Sequence, residues 1–473
     1  MLPPKSLPQP AQGRKGLRDR WDAISWTVIA VLLWTLISVL KVQVARMTPF
    51  DAMALALLGG LLLHRFVGRG RKAPPERWRA ALPGYYYLMM GALICAGLLS
   101  GLNATDLQLW SVEIFTFLYL LGMLWALDLF TKDRIDRFLD LGGWTFAALC
   151  AACGTVATVF LLGGPQLGFF YETGLDGLSP KMTFTGPMRF PNQWAGYFLA
   201  VFPLLLALNF KPLSRWQRAA LLVCTLLGFV TIPASGSRSG MFLTVAEIGG
   251  FALLYMILSR SGHLLMRVVT ISLFVIALGG TYWLLFDQAS DSPILVRSLG
   301  AFDLVFEQES LADRWREYNW LAAMSEFGKH PFIGMGLGTF ERFYDKHEVH
   351  SSYLSFAAET GVAGLIPYLV LVAVPLLSLV RALAAYASRG KADVMLIALT
   401  LAIVSQLAFA IHHNNTRHRH VWLLLFCGTV YAELALVRLG AALAQERARR
   451  PAPTRSRREA TRHRPEATDR RTA

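Results

Sequence analysis

Apolar runs of membrane-spanning length recur along nearly the whole chain, and that repetition fixes its class before any motif is considered. Runs near 23–40, 50–64, 83–101, 109–129, 142–163, 193–209, 218–234, 240–258, 267–286, 352–380, 394–411 and 421–438 carry few or no charges. Stretches of about 17–25 such residues read as transmembrane helices. The expected fold is therefore all-α: a polytopic membrane protein of about twelve transmembrane helices. At 473 residues, 54% hydrophobic and 16% charged, the chain does not fit a soluble domain of this length.

The formal charge of +15 is not a nucleic-acid signal, because it gathers in short loops and both tails. With the N-terminus in the cytoplasm, the cytoplasmic loops are 65–82, 130–141, 210–217, 259–266 and 381–393. Arg65, Arg69, Arg71, Lys72, Lys132, Arg134, Lys211, Arg260, Arg381 and Lys391 then fall inside, as does the basic tail 439–473. That is the positive-inside pattern, and it puts both ends inside. Residues 1–20 and 445–473 are rich in Pro, Arg and Ala and lack periodicity, so they are expected to be disordered. The membrane domain is 21–444, including an extracytoplasmic loop 287–351. The first span reads as a retained anchor. All five cysteines fall in apolar spans without a completing metal set, which suits small buried residues.

Polar groups left on the outer face are few and sharply placed. Arg189 lies in Pro187-Met-Arg-Phe-Pro191-Asn192, where Asn192 is read as the N-cap of the following helix. A helix start with its free N–H groups, beside an arginine, suits a diphosphate; the alternative is an arginine snorkelling to the interface. Arg238 sits in a Gly/Ser turn that permits an anion nest or is simply tight. Arg314 and Arg316, with Asp313 and Glu317, open a helix over about 311–328, and Arg316 shares a face with Trp320. One of the two arginines is expected to contact a ligand. A short helix over 339–346 should follow the Gly334-Met-Gly-Leu-Gly338 run. That run has no strand before it and reads as a turn back to the membrane rather than a nucleotide loop.

His350 stands at the entrance of the next span, Ser351-Ser-Tyr353-Leu, with His347 as its neighbour. A neutral imidazole there can take a proton from a sugar hydroxyl. Tyr353 is counted with the substrate-binding set. Glu359 falls half a turn out of phase with His350 on a continuous helix, so Glu359-Thr-Gly361 and Gly364 read as helix packing, with the carboxylate holding a basic residue in place. The run His412-His413-Asn-Asn-Thr-Arg417-His418-Arg419-His420 reads as an anion-binding rim rather than a metal site. The loop 164–192 is expected to be irregular.

The order Arg316 to Trp320, Pro331-x-x-Gly-x-Gly-x-Gly-x-Phe340, His350-x-x-x-Leu354 and Glu359-x-Gly-x-x-Gly364 resembles the O-antigen ligase and polymerase superfamily of lipid-linked glycan transferases. Many members follow the histidine with Asn, where this chain has Ser351. The resemblance implies an inverting transferase that needs no metal or other cofactor. The donor would be an undecaprenyl-diphosphate-linked glycan, and the acceptor first of all lipid A–core, in the inner membrane with the site on the periplasmic face. His350 would be the base and Arg189, Arg238 and Arg314 or Arg316 the diphosphate contacts, in a setting of membrane lipids without nucleic acid. Polymerase and protein O-oligosaccharyltransferase are the alternatives within the superfamily. Outside it stand a secondary transporter, disfavoured because no paired interrupted helices are found, and a non-catalytic scaffold, which leaves the one-sided Arg and His set unexplained. Cysteine labelling should place 300–345 outside and both tails inside; outside labelling of the C-terminal tail in intact cells would overturn this topology.

Overall fold

The computed structural model describes residues 12–39, 48–67, 82–131, 134–161, 167–176, 179–259, 311–343 and 349–449. Eight helices come first: α1 (Gln12–Leu36), α2 (Pro49–Val67), α3 (Gly84–Ser100), α4 (Leu107–Thr131), α5 (Ile135–Leu161), α6 (Pro191–Leu208), α7 (Arg215–Ser235) and α8 (Arg238–Leu258). Then come α9 (Leu311–Lys329), the short α10 (Phe340–Phe343), α11 (Ser352–Ala387), α12 (Val394–His412) and α13 (Arg419–Arg449). The fold is all-α and polytopic. Among the described residues, α3, α4, α5, α7, α8, α11, α12 and α13 are long and apolar enough to cross a membrane. α1 and α2 hold shorter apolar stretches, Asp22–Leu36 and Pro49–Leu63. α6, at 18 residues, is buried at every position from Trp194 to Leu208. An all-round apolar helix belongs at the centre of a bundle, and α6 sits there. The expected span 267–286 lies outside the described residues, as does His347. α1 begins at Gln12, within the stretch expected to be unstructured, and α13 runs on to Arg449.

The loop 164–192 is not irregular throughout. β1 (Tyr171–Asp176) and β2 (Ser179–Phe184) pair antiparallel with Tyr171 opposite Phe184. The hairpin is held because Phe184 packs edge-on against the buried Trp194 of α6, ring centres 6.0 Å apart.

Helix contacts follow membrane rules: small residues where backbones approach and a partner for most polar groups. Gly154 of α5 lies against the Leu227 backbone of α7, and Gly228 of α7 faces Cys150. Cys150 and Cys153 are buried in that seam. Buried indoles donate to partners at hand: Trp34 to the Phe138 carbonyl (3.0 Å), Trp194 to Thr231 (2.9 Å) and Trp422 to the Thr416 carbonyl (2.7 Å).

α11 departs from a continuous helix. Gly361 has φ 61° and ψ −162°, which breaks the helix inside its apolar run. In an unbroken helix the N–H groups of Val362 and Ala363 would bond the carbonyls of Ala358 and Glu359. Instead the segment 331–336 enters the gap. Val362 and Ala363 donate to the carbonyls of Pro331 (2.9 Å) and Phe332 (3.1 Å). Met335 and Gly336 donate to the carbonyls of Ala358 (2.9 Å) and Glu359 (3.1 Å). All four freed groups are satisfied, and each left bare would cost about 1–3 kcal/mol. Gly334, Gly336 and Gly338 have φ of 72°, 114° and 75°, conformations that glycine alone adopts without strain. The same loop is pinned to the α3–α4 connection: Asn103 Nδ2 donates to the Gly334 carbonyl (2.8 Å) and the Leu337 N–H to Ser100 Oγ (3.1 Å).

Gly361→Ala should lower stability by roughly 1–3 kcal/mol from backbone strain alone, and its new Cβ would also overlap the Phe332 carbonyl. Gly328→Ala, where nothing lies within 4 Å of the added carbon, should be neutral or stabilising. Thermal unfolding in detergent reads the difference; equal midpoints for the two variants would contradict the interlock.

Candidate active site

The starts of α6, α8 and α11 and the end of α12 converge around His413. α12 ends at His412, and His413 turns into extended geometry (φ −141°, ψ 139°) while its N–H still bonds the Phe409 carbonyl (3.0 Å). The His413 ring stacks on Phe409, centres 4.2 Å apart, and its Nε2 lies 3.0 Å from Ser239 Oγ. The Ser352 hydroxyl sits between Asn415 Oδ1 (2.7 Å) and the His413 carbonyl (3.2 Å) and accepts the Asn415 N–H (2.9 Å). The turn after α12 is thereby fixed against the start of α11.

His350 is half-buried, directly before Ser351, whose side chain caps α11 by accepting the Leu354 N–H. Position 351 is thus a helix cap. His350 itself lies before the helix, so a helical phase from Glu359 does not reach it. Trp320 of α9 donates from Nε1 to the His350 carbonyl (3.2 Å) and stacks on His412, centres 5.6 Å apart at 24°. This holds the face of α9 that carries Arg316 toward the histidines. Burial pushes the His413 imidazole well below the usual histidine range, and the charges of Arg316, His350, His412 and His418 push it the same way. Arg316, His350 and His412 are therefore each close enough to act on His413. His418, half-buried, is lowered to about 4 by desolvation, with Arg419 and Arg417 adding to it.

Arg238 is the first residue of α8, after Ser237, whose side chain accepts the Gly240 N–H. The next residue, Ser239, is the one that meets His413. The α8 start packs on the α6 start, since a Cβ on Gly240 would come within 2.8 Å of Ala195 Cβ. Gln406 of α12 donates to the Gly196 carbonyl of α6 (2.7 Å). Arg189, at the entry to α6, is exposed, with its guanidinium 5.2 Å from the Phe190 ring centre. Asn192 is not the N-cap. Phe190 holds that place with Pro191 first in the helix, because Gln193 reaches back to accept the N–H groups of Arg189 (3.2 Å) and Phe190 (3.3 Å). Arg314 lies in the first turn of α9. Tyr353 points along the bundle: its hydroxyl donates to the Leu407 carbonyl (3.0 Å) and its ring rests on Tyr368. The structure thus gathers Arg316 and His350 around His413, with Arg238 beginning the adjoining helix and Arg189 exposed on the neighbouring one.

The 412–420 run is not an open cationic rim. Arg417 pairs with Glu113 (3.0 Å) and Glu341 (2.6 Å), and Arg419 grips Asp51 through two bonds (3.1 and 3.0 Å). Glu359 is buried, accepts the Gly338 N–H and lies in the field of Arg417, which is the basic residue it helps hold. These carboxylates come from α2, α4, α10 and α11, and no local pattern announces the pairing. Among the described residues no group of three His, Cys, Asp or Glu side chains could hold a metal ion. The residues that sequence reasoning singled out too weakly are His413, Ser239 and Asn415. The one visible signal was the polar His-Asn-Asn step breaking an apolar span.

Residues 220–369 match a family model described as O-antigen ligase, Wzy_C. The matched segment runs from α7 into the middle of α11 and takes in Arg238, Arg316, His350 and the interlock at Gly361, while Arg189 and the 412–420 turn lie outside it. No curated protein matches the chain.

The desolvated histidines set an acid limit. The unfolded chain binds protons near pH 6.5 that folded His413 and His418 refuse. Stability therefore falls as pH drops from about 6.5, by up to about 1.4 kcal/mol per pH unit for each imidazole, and the His418 contribution levels off near pH 4. Unfolding midpoints in detergent at pH 7.5, 6 and 5 should decline, and His418→Gln should shallow the decline. A flat profile would contradict desolvation of neutral imidazoles.

Proposed function

We propose that this chain, whose residues 220–369 match a family model described as O-antigen ligase, is a membrane-embedded inverting glycosyltransferase. It moves a glycan from undecaprenyl diphosphate to an acceptor hydroxyl on the periplasmic face of the inner membrane, foremost O-antigen onto lipid A–core. The observation that carries the reading is the convergence of Arg316, His350 and His413 beside the starts of α8 and α11. Helix starts present free N–H groups and a positive dipole end to an anion. Arginine adds planar, paired donors matched to phosphate oxygens.

The donor diphosphate lies against Arg316, with Arg238 and Arg189 reaching it from the neighbouring helix starts and Arg314 available from the first turn of α9. The acceptor oxygen attacks the anomeric carbon from the face opposite the diphosphate. One C–O bond forms as the bond to the phosphate oxygen breaks, and the anomeric centre inverts. His350 takes the hydroxyl proton, and the charge that develops on the leaving diphosphate is met by the guanidiniums. His413, kept neutral by burial, adds no charge that would compete for the diphosphate or repel a protonated His350. Trp320 holds the His350 backbone, so its ring is aimed from a fixed base. A polymerase or a protein O-oligosaccharyltransferase would use the same donor half with another acceptor. A deletion strain separates them: loss of the lipopolysaccharide ladder with accumulation of undecaprenyl-linked glycan marks the ligase, and a single-repeat band marks a polymerase.

With purified donor and acceptor, His350→Ala should cut turnover by about 10²–10⁴-fold, the usual loss on removing a general base, while donor binding changes little. Arg189→Ala should abolish transfer, and Arg189→Lys should remain impaired because the charge survives without the paired donors. Near-normal turnover in His350→Ala would remove it as the base. Full activity in Arg189→Ala would remove that residue from the site.

A further inference from the structure

At the end of the bundle away from His350, a cavity of about 480 Å³ opens between the α5 start, the α6–α7 turn, the α11–α12 turn and Tyr431 of α13. Eighteen residues separate Val394, which lines the cavity, from His412 on α12, about 27 Å of helix, so this cavity is a separate place from the transfer site. Its lining mixes charges of both signs. Asp136 is held by Arg438 through two bonds (2.8 and 2.5 Å), and Asp140 is paired with Lys211. Asp393 caps α12 by accepting the Met395 and Leu396 N–H groups and receives the Tyr431 hydroxyl at 3.2 Å. Lys391 is exposed at the mouth and has no carboxylate partner among the described residues.

Three carboxylates (Asp136, Asp140, Asp393) and two cations (Lys211, Lys391) thus line the cavity, and Arg438, which does not line it, neutralises Asp136 from behind, so the formal sum is zero. Such a site has no preference for a simple anion or a simple cation. It is complementary to one molecule that carries a positive and a negative group a few ångströms apart. The walls between the charges are apolar, formed by Val394, Met395 and the tyrosine rings. The cavity also lies where apolar spans emerge from the membrane, since α12 begins at Val394 directly after the cap and α11 ends at Ala387. A charged mouth over apolar walls at that level fits an amphiphile.

We propose that this cavity binds the head group of a zwitterionic glycerophospholipid of the phosphatidylethanolamine type. The phosphate meets the Lys391 ammonium with Lys211 behind it, and the primary ammonium donates to the free lone pairs of Asp140 and Asp393. The acyl chains run out along the apolar ends of α11 and α12. Bound there, the lipid ties α5, α13 and the α11–α12 turn together at the end opposite the reaction.

The test uses the full chain in detergent, incubated with an equimolar mixture of phosphatidylethanolamine, phosphatidylcholine and phosphatidylglycerol of matched chains, with retained lipid read by native mass spectrometry. Phosphatidylethanolamine should be retained over both others. Lys391→Glu, at an exposed position that leaves folding intact, should lower its retention about fivefold, the scale of one exposed charge contact. Free phosphoethanolamine at millimolar concentration should not displace it. Phosphatidylglycerol retained as well as phosphatidylethanolamine would overturn the zwitterion, and phosphatidylcholine retained as well would overturn the ammonium donating to carboxylates. Unchanged retention in Lys391→Glu would overturn the phosphate contact. Displacement by free phosphoethanolamine would show a small-molecule site in place of a lipid site.

Discussion

The interlock between segment 331–336 and the broken helix α11 is the constraint on which the His350 end of this molecule depends. A helix that breaks within an apolar span frees carbonyl and N–H groups in a medium that offers no water. The freed groups at 358, 359, 362 and 363 are met by four groups of one loop. The loop can approach only because Gly334 and Gly361 carry no side chain there, each lying against the other segment's backbone. The satisfied break and the tightly held loop are thus one feature seen from two sides.

The site inherits its geometry from that interlock. α9 leads directly into the loop, and α11 follows His350, so fixing the loop on α11 sets both Arg316 and His350 at once. The remaining adjustment comes from Trp320, which touches the His350 backbone and the His412 ring together. Ser352 and Asn415 then fix His413 from the other side. Removing either brace would leave the same residues present with looser mutual positions, and transfer chemistry depends steeply on such positions.

Electrostatics divide the cations into two kinds. Arg417 and Arg419 lie among carboxylates from other helices, where they hold the bundle together. Arg189 is exposed over an aromatic ring, and Arg316 lies close enough to act on the His413 imidazole. A buried cation inside a bundle needs a carboxylate, whereas one at a rim can be kept for a ligand. Proximity of charges in the sequence did not separate the two kinds: the dense 412–420 run proved mostly structural, while the isolated Arg189, just before α6, is exposed.

The sequence by itself determined the class, most helix positions and the glycine turn, because membrane length and left-handed backbone geometry are local requirements. It also put Arg316 and Trp320 on one face and set His350 at a helix entrance. It did not determine that α11 breaks, since Glu359-Thr-Gly361 has the composition of ordinary helix packing. That break is stable only through hydrogen bonds to a loop some 30 residues away in sequence. Nor did it show that Phe190 rather than Asn192 caps α6, that Tyr353 turns to Leu407, or that His413 meets Ser239 of α8. Each was decided by a partner on another helix. Hydrogen bonds and ion pairs in a protein interior are chosen by who is near in space, and only the packed tertiary structure fixes that.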